Sequence, residues 1–98
     1  MPKQIGPAKN ITLNGLVFPW GDGEPALISI SDSLYLPCFS SIEKLQEFSE
    51  KIKLSYKNIK LIDDEDFFVQ SIPRSIKVII DPYLTTGGKV RYFELRLN

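Results

Sequence analysis

The chain has 98 residues, with 12 Lys+Arg against 12 Asp+Glu for a formal net charge of zero, and 43% of its residues are hydrophobic. This composition excludes collagen-like, low-complexity and highly charged disordered chains. The absence of His removes every His-based triad, the usual general base and the commonest metal ligand.

Met1 to Asn10 holds Pro, Gly and Lys without any period, and reads as an N-terminal arm ahead of a single domain over 11–98. It has no continuous apolar run, and Thr12, Asn14, Gly15 and Pro19 break the stretch that follows. No signal peptide and no membrane span is therefore expected. Cys38 is the one cysteine, so no internal disulfide can form, and a cytoplasmic location is the expectation.

Leu16, Val17 and Phe18 predict a first strand, and Gly21-Asp22-Gly23-Glu24-Pro25 supplies turn chemistry after it. Ala26 to Ile30 and Leu34 to Cys38 read as two further strands joined across Ser31-Asp32-Ser33. The first half is thus expected to be an antiparallel meander. The period then changes, because Ile42, Leu45, Phe48 and Ile52 recur at spacings that trace one helix face, predicting a helix from about Ser41 to Lys53. Ser40 and Glu43 have the S-x-x-E spacing of a capping box.

Asn58 to Ile62 suits a fourth strand. Asp63 to Gln70 predicts a short helix whose acidic start favours its dipole, with Phe67, Phe68 and Ile72 on its buried side. Ser75 to Ile80 is nearly all apolar and reads as a central strand ended by Asp81-Pro82. Thr85-Thr86-Gly87-Gly88 is a turn. Lys89 to Leu97 alternates, placing Phe93, Leu95 and Leu97 inward and Tyr92, Glu94 and Arg96 on a wet face. The expected class is α+β, one small domain in which a mostly antiparallel sheet packs against one long and one short helix.

The run Leu34-Tyr35-Leu36-Pro37-Cys38-Phe39-Ser40-Ser41, followed by Leu45 and Phe48, and the later Ile79-Ile80-Asp81-Pro82, resemble the N-terminal domain of the SseB (enhanced serine sensitivity) family of bacterial proteins. The likeness covers roughly Gly15 to Tyr83, with Asp81 where Asn is usual. It implies a small α/β domain without established enzymatic activity, with protein interaction as the usual suggestion. It brings no catalytic residues to this chain. Small bacterial immunity-type proteins have a similar size and look.

Residue chemistry points the same way. Cys38 has no His to activate it and reads as a buried strand-end thiol. Asp63, Asp64 and Asp66 form, with Glu65, the densest carboxylate cluster. Oxygen ligands suit Mg²⁺ or Ca²⁺ in a metal-assisted hydrolase, but consecutive acids on a short helix point apart and lack the Gly of an EF-hand loop. Lys51, Lys53, Lys57 and Lys60, with Tyr56 among them, are the counterpart for weak nucleic-acid binding, against which a solvated helix end is preferred. Thr85 to Lys89 fails the phosphate-loop pattern, since Tyr83 and Val90 stand where Gly and Ser/Thr are needed. Trp20 and Tyr35 suit a half-buried core, whereas Tyr83 and Tyr92 suit a contact surface.

The leading expectation is a non-enzymatic protein-interaction module without cofactor or bound metal, its surface formed from Asp63, Asp64 and Asp66 or from Tyr83 and Tyr92. A protein that neutralises a toxin partner, a metal-assisted hydrolase and a nucleic-acid binder are the alternatives. The last strand, as a sheet edge, also suggests a homodimer. No membrane partner is expected.

Overall fold

The computed structural model describes residues 12–95. The strands are β1 (Val17–Trp20), β2 (Ile28–Ile30), β3 (Ser33–Cys38), β4 (Asn58–Leu61), β5 (Ile76–Leu84) and β6 (Val90–Leu95). The helices are α1 (Ile42–Ile52), between β3 and β4, and α2 (Glu65–Ser71), between β4 and β5. The class is α+β, as expected, although α1 at 11 residues has ordinary rather than great length and α2 has 7. The proposed arm over Met1 to Asn10 and the positions of Arg96 and Leu97 lie outside the described residues.

The four-stranded sheet runs β2-β3-β5-β6, and β1 with β4 forms a separate two-stranded sheet. All pairings are antiparallel except β3 with β5, which run parallel with Pro37 opposite Ile79 and Cys38 opposite Ile80. β5 is therefore central, as its apolar run predicts. Parallel strands need a long crossover, and α1, β4 and α2 together provide it.

The expected meander is only half present. β2 and β3 make a hairpin, but its turn has two residues, Ser31 and Asp32, both at positive φ (50° and 69°), and Ser33 already belongs to the ladder opposite Ile30. β1 does not continue into β2. The chain does reverse at Gly21, whose N–H donates to the Glu24 carbonyl at 2.7 Å, and Trp20 bridges Pro25. The Ala26 N–H donates to the Pro19 carbonyl at 3.0 Å, but the pairing goes no further; β2 diverges to β3 and β1 takes β4 as its partner.

Alternation gives the main sheet two apolar faces. Leu36, Cys38, Val78 and Ile80 on one face pack under Leu16, Phe18, Ile62 and Phe68. Tyr35 and Ile79 on the other face pack, together with Phe39, against Val17 and against Leu45 and Phe48 of α1. β1 supplies both cores, Val17 to one and Phe18 to the other. The Val17 N–H donates to the Phe39 carbonyl at 2.9 Å and the Phe39 N–H to that of Val17 at 2.8 Å, which locks the two sheets together.

α1 begins one residue later than the capping-box reading. Ser41 is the N-cap, its hydroxyl accepting from the Lys44 N–H at 3.2 Å, and Lys53 in the left-handed region closes the helix. Ser40 is recruited elsewhere. Its N–H donates to Asp81 Oδ1 at 2.8 Å and its hydroxyl to Oδ2 at 3.0 Å. Asp81 does not end β5, as expected from the Asp-Pro step, but forms a bulge within it at φ 47°. The two segments that carry the family resemblance thus meet through Ser40 and Asp81. The left-handed region suits Asp and Asn better than Ala. Asp81→Ala is expected to cost about 2 kcal/mol by losing both hydrogen bonds and straining the bulge. Asp81→Asn should recover part of this through its one remaining acceptor oxygen. Urea denaturation checks both, and an Asp81→Ala midpoint equal to wild type would refute the role.

Candidate interaction surface

α2 is capped by Asp64, whose Oδ1 accepts from the Phe67 N–H at 3.1 Å. Glu65 accepts from the Thr12 hydroxyl at 2.9 Å. Consecutive helical residues lie about a quarter turn apart, so a helix this short seats only one of the adjacent Phe67 and Phe68. Phe68 enters the core with Phe18, ring centroids 5.3 Å apart, while Phe67 remains 69% exposed. This corrects the expectation that Phe67 is buried. The adjacency of two Phe in a short helix was the available signal.

Phe67 borders a groove of about 410 Å³ between α2 and β4. Phe18, Trp20, Ile62, Phe68 and Ile72 give it apolar walls, and Leu61, 60% exposed, is its second open rim. Trp20 is half-buried on Phe18, at a centroid distance of 6.2 Å, and its outer face is covered by the Lys60 ammonium at 4.6 Å. That cation–π contact orients Lys60 along the wall. Asp63 and Asp64 line the groove too. Asp66 is exposed on α2 but outside the lining.

A second cleft of about 380 Å³ lies between α1 and the Asp81 bulge. Tyr83 (59% exposed) and Phe93 (58%) flank it, and Lys44, Glu47 and Lys51 project from the helix. Lys44 pairs with Asp81 at 3.6 Å. The exposure of Tyr83 agrees with its place as a contact residue, whereas strand alternation predicts Phe93 inward. β6 is an edge strand opposite the bulge, so part of its inward row extends past the covering layer. Tyr92 departs in the other sense. It is half-buried, packs on the α1-side core and donates a long 3.4 Å hydrogen bond to the Tyr35 hydroxyl. That bond, aided by burial and by the Tyr35 and Glu94 charges, holds the Tyr92 hydroxyl above the usual tyrosine range. The proposed residues are thereby divided: Asp63 and Asp64 border one cleft, Tyr83 the other, and Tyr92 and Asp66 neither.

The remaining candidates are dispersed. Among the described residues no group of three or more carboxylates or thiols is arranged to hold a metal ion, so Asp63, Asp64 and Asp66 do not converge. Lys53 ends α1, Lys57 pairs with Asp22 at 2.8 Å, Lys60 lies on Trp20 and Lys51 borders the second cleft. Tyr56 packs against the α1-side core. These lysines make no continuous strip with a free stacking ring. Cys38 is fully buried, and burial, with a smaller contribution from the Asp81 charge, pushes its thiol up to about 12, opposite to what a nucleophile requires. Among the described residues no helix is long and apolar enough to cross a membrane. The chain matches no family model, no curated protein and no solved structure.

Proposed function

We propose that this chain is a non-enzymatic, SseB-like protein-interaction module that binds through the groove between α2 and β4. The observation that carries the reading is the pair of large apolar side chains, Leu61 and Phe67, left 60% and 69% exposed on either side of an apolar concavity. Exposed apolar surface rimmed by polar groups marks interaction sites. A central aromatic in a concave patch is the usual anchor of binding energy. Binding requires shape and charge; the concavity with its apolar walls and the charged Lys60, Asp63 and Asp64 support the reading.

Leu61 and Phe67 are surface residues, so replacing both with Ser is expected to leave stability within about 0.5 kcal/mol per site. Tagged wild-type protein should capture a partner from its source cell that the Leu61→Ser/Phe67→Ser variant does not. Capture of nothing above background by wild type, or equal capture by the variant, overturns the proposal. So does robust turnover of a small molecule that a single side-chain replacement abolishes.

A further inference from the structure

We infer that the groove between α2 and β4 receives an extended partner segment carrying a large apolar side chain next to Lys or Arg. This inference deepens the interaction reading and rests on it.

The apolar requirement follows from the walls. Phe18, Trp20, Ile62, Phe68 and Ile72 offer no charged group, and the concavity of about 410 Å³ holds more than one side chain. The basic requirement follows from the charges. The charged side chains in the lining are Lys60, Asp63 and Asp64, and Asp66 lies close by on α2. Lys60 is held on the Trp20 ring, and the ion pairs among the described residues are Lys44 with Asp81 and Lys57 with Asp22. Asp63, Asp64 and Asp66 therefore have no ion-pair partner among the described residues. Two carboxylates, Asp63 and Asp64, against the one cation Lys60 leave the lining net negative, with Asp66 adding to it from outside, which favours a cation and disfavours nucleic-acid phosphates and anionic lipid headgroups.

The extended conformation follows from topology. Lys60, Leu61, Ile62 and Asp63 are consecutive, yet all four line the groove. Lys60 and Leu61 are the last residues of β4, and Ile62 and Asp63 follow its end, so the groove runs along this segment in the direction of the strand. β4 pairs only with β1 in its sheet, which makes it an edge strand. An extended peptide can add to such an edge, its backbone giving affinity and its alternate side chains giving specificity.

Trp20 is the single tryptophan and stands in the groove wall, so its fluorescence reports occupancy directly. The probe is a short synthetic peptide of alternating Leu and Lys, with two controls: Glu in place of Lys, and Ser in place of Leu. The Leu/Lys peptide is expected to shift Trp20 emission saturably, and both controls to bind at least about tenfold more weakly. Asp63→Asn/Asp64→Asn should weaken the Leu/Lys peptide by a similar factor while preserving α2, because Asn caps helices as well as Asp does. Equal binding of the Leu/Glu peptide, unchanged affinity in the Asn variant, or tighter binding of an oligothymidine strand than of the peptide overturns the inference. Partner capture by wild type without Leu/Lys peptide binding defeats only the partner chemistry. Peptide binding without partner capture defeats the module reading instead.

Discussion

Phe39→Ala is expected to cost about 3–5 kcal/mol, the range for emptying an aromatic from a packed core. Phe39 is 0% exposed and lies where three elements meet. Its ring contacts Phe48 of α1 at a centroid distance of 5.8 Å, and it clusters with Leu45, Ile79 and Val17. Its backbone makes the reciprocal hydrogen bonds with Val17 that tie the β1–β4 sheet to the main sheet. Those bonds survive in the variant but lose the apolar cover that keeps water from competing for them. A domain of this size has roughly 5–15 kcal/mol of total stability, so the substitution removes a large share of it. Phe39→Leu keeps most of the volume and should lose much less. Urea denaturation of both variants measures the difference. A Phe39→Ala loss below about 1 kcal/mol would mean that the site collapses freely and that Phe39 does not join the two sheets.

Much of this fold is legible because its strongest signals are local. The spacing of Leu45, Phe48 and Ile52 places α1, and the apolar run from Val78 to Ile80 places β5 at the centre of the sheet. Both depend on burial that a short window of sequence records. The pairing of β1 with β4 is not local. It joins residues some forty positions apart, Val17 with Leu61 and Trp20 with Asn58, and the nearer turn at Gly21 offers a plausible but false partner. The displaced capping box has a similar origin. Ser40 satisfies the local pattern, but the Asp81 carboxylate, 41 positions away, holds it instead.

The candidate surface is legible in a different proportion. The acidic cluster marks α2 in the sequence, yet only Asp63 and Asp64 border the groove. The anchors, Leu61 and Phe67, look like core residues in any hydrophobic pattern, and their exposure depends on which of two adjacent phenylalanines the packed interior accepts. Tyr92 is the converse. On an alternating strand it falls on the side assigned to water, but α1 covers that side and Tyr35 meets its ring at a centroid distance of 5.4 Å. Sheet alternation tells which residues share a face. It does not tell whether another layer covers that face.

The second large effect is a loss of stability at alkaline pH traceable to one atom, the Cys38 sulfur. In the folded chain the thiol is pushed from 9.0 up to about 12, first by burial and then by the Asp81 charge. Between those values the unfolded chain has released the proton and the folded chain has not, so the folded state binds more protons and stability falls as pH rises. The contribution is fully present below pH 9 and is lost progressively as pH rises toward 12, a total on the order of a few kcal/mol. The total slope sums every group that changes protonation on unfolding, so by itself it does not identify the thiol. Cys38→Ala does, because it lowers stability by a pH-independent amount through the cavity it leaves and removes the thiol's share of the slope. Urea midpoints measured from pH 8 to 11 on both proteins should therefore converge with rising pH. Parallel curves would mean that the thiol reaches solvent in the folded chain and ionises there as freely as when unfolded. Cys38 would then not be the inert interior group that its position between Leu36 and Ile80 makes it.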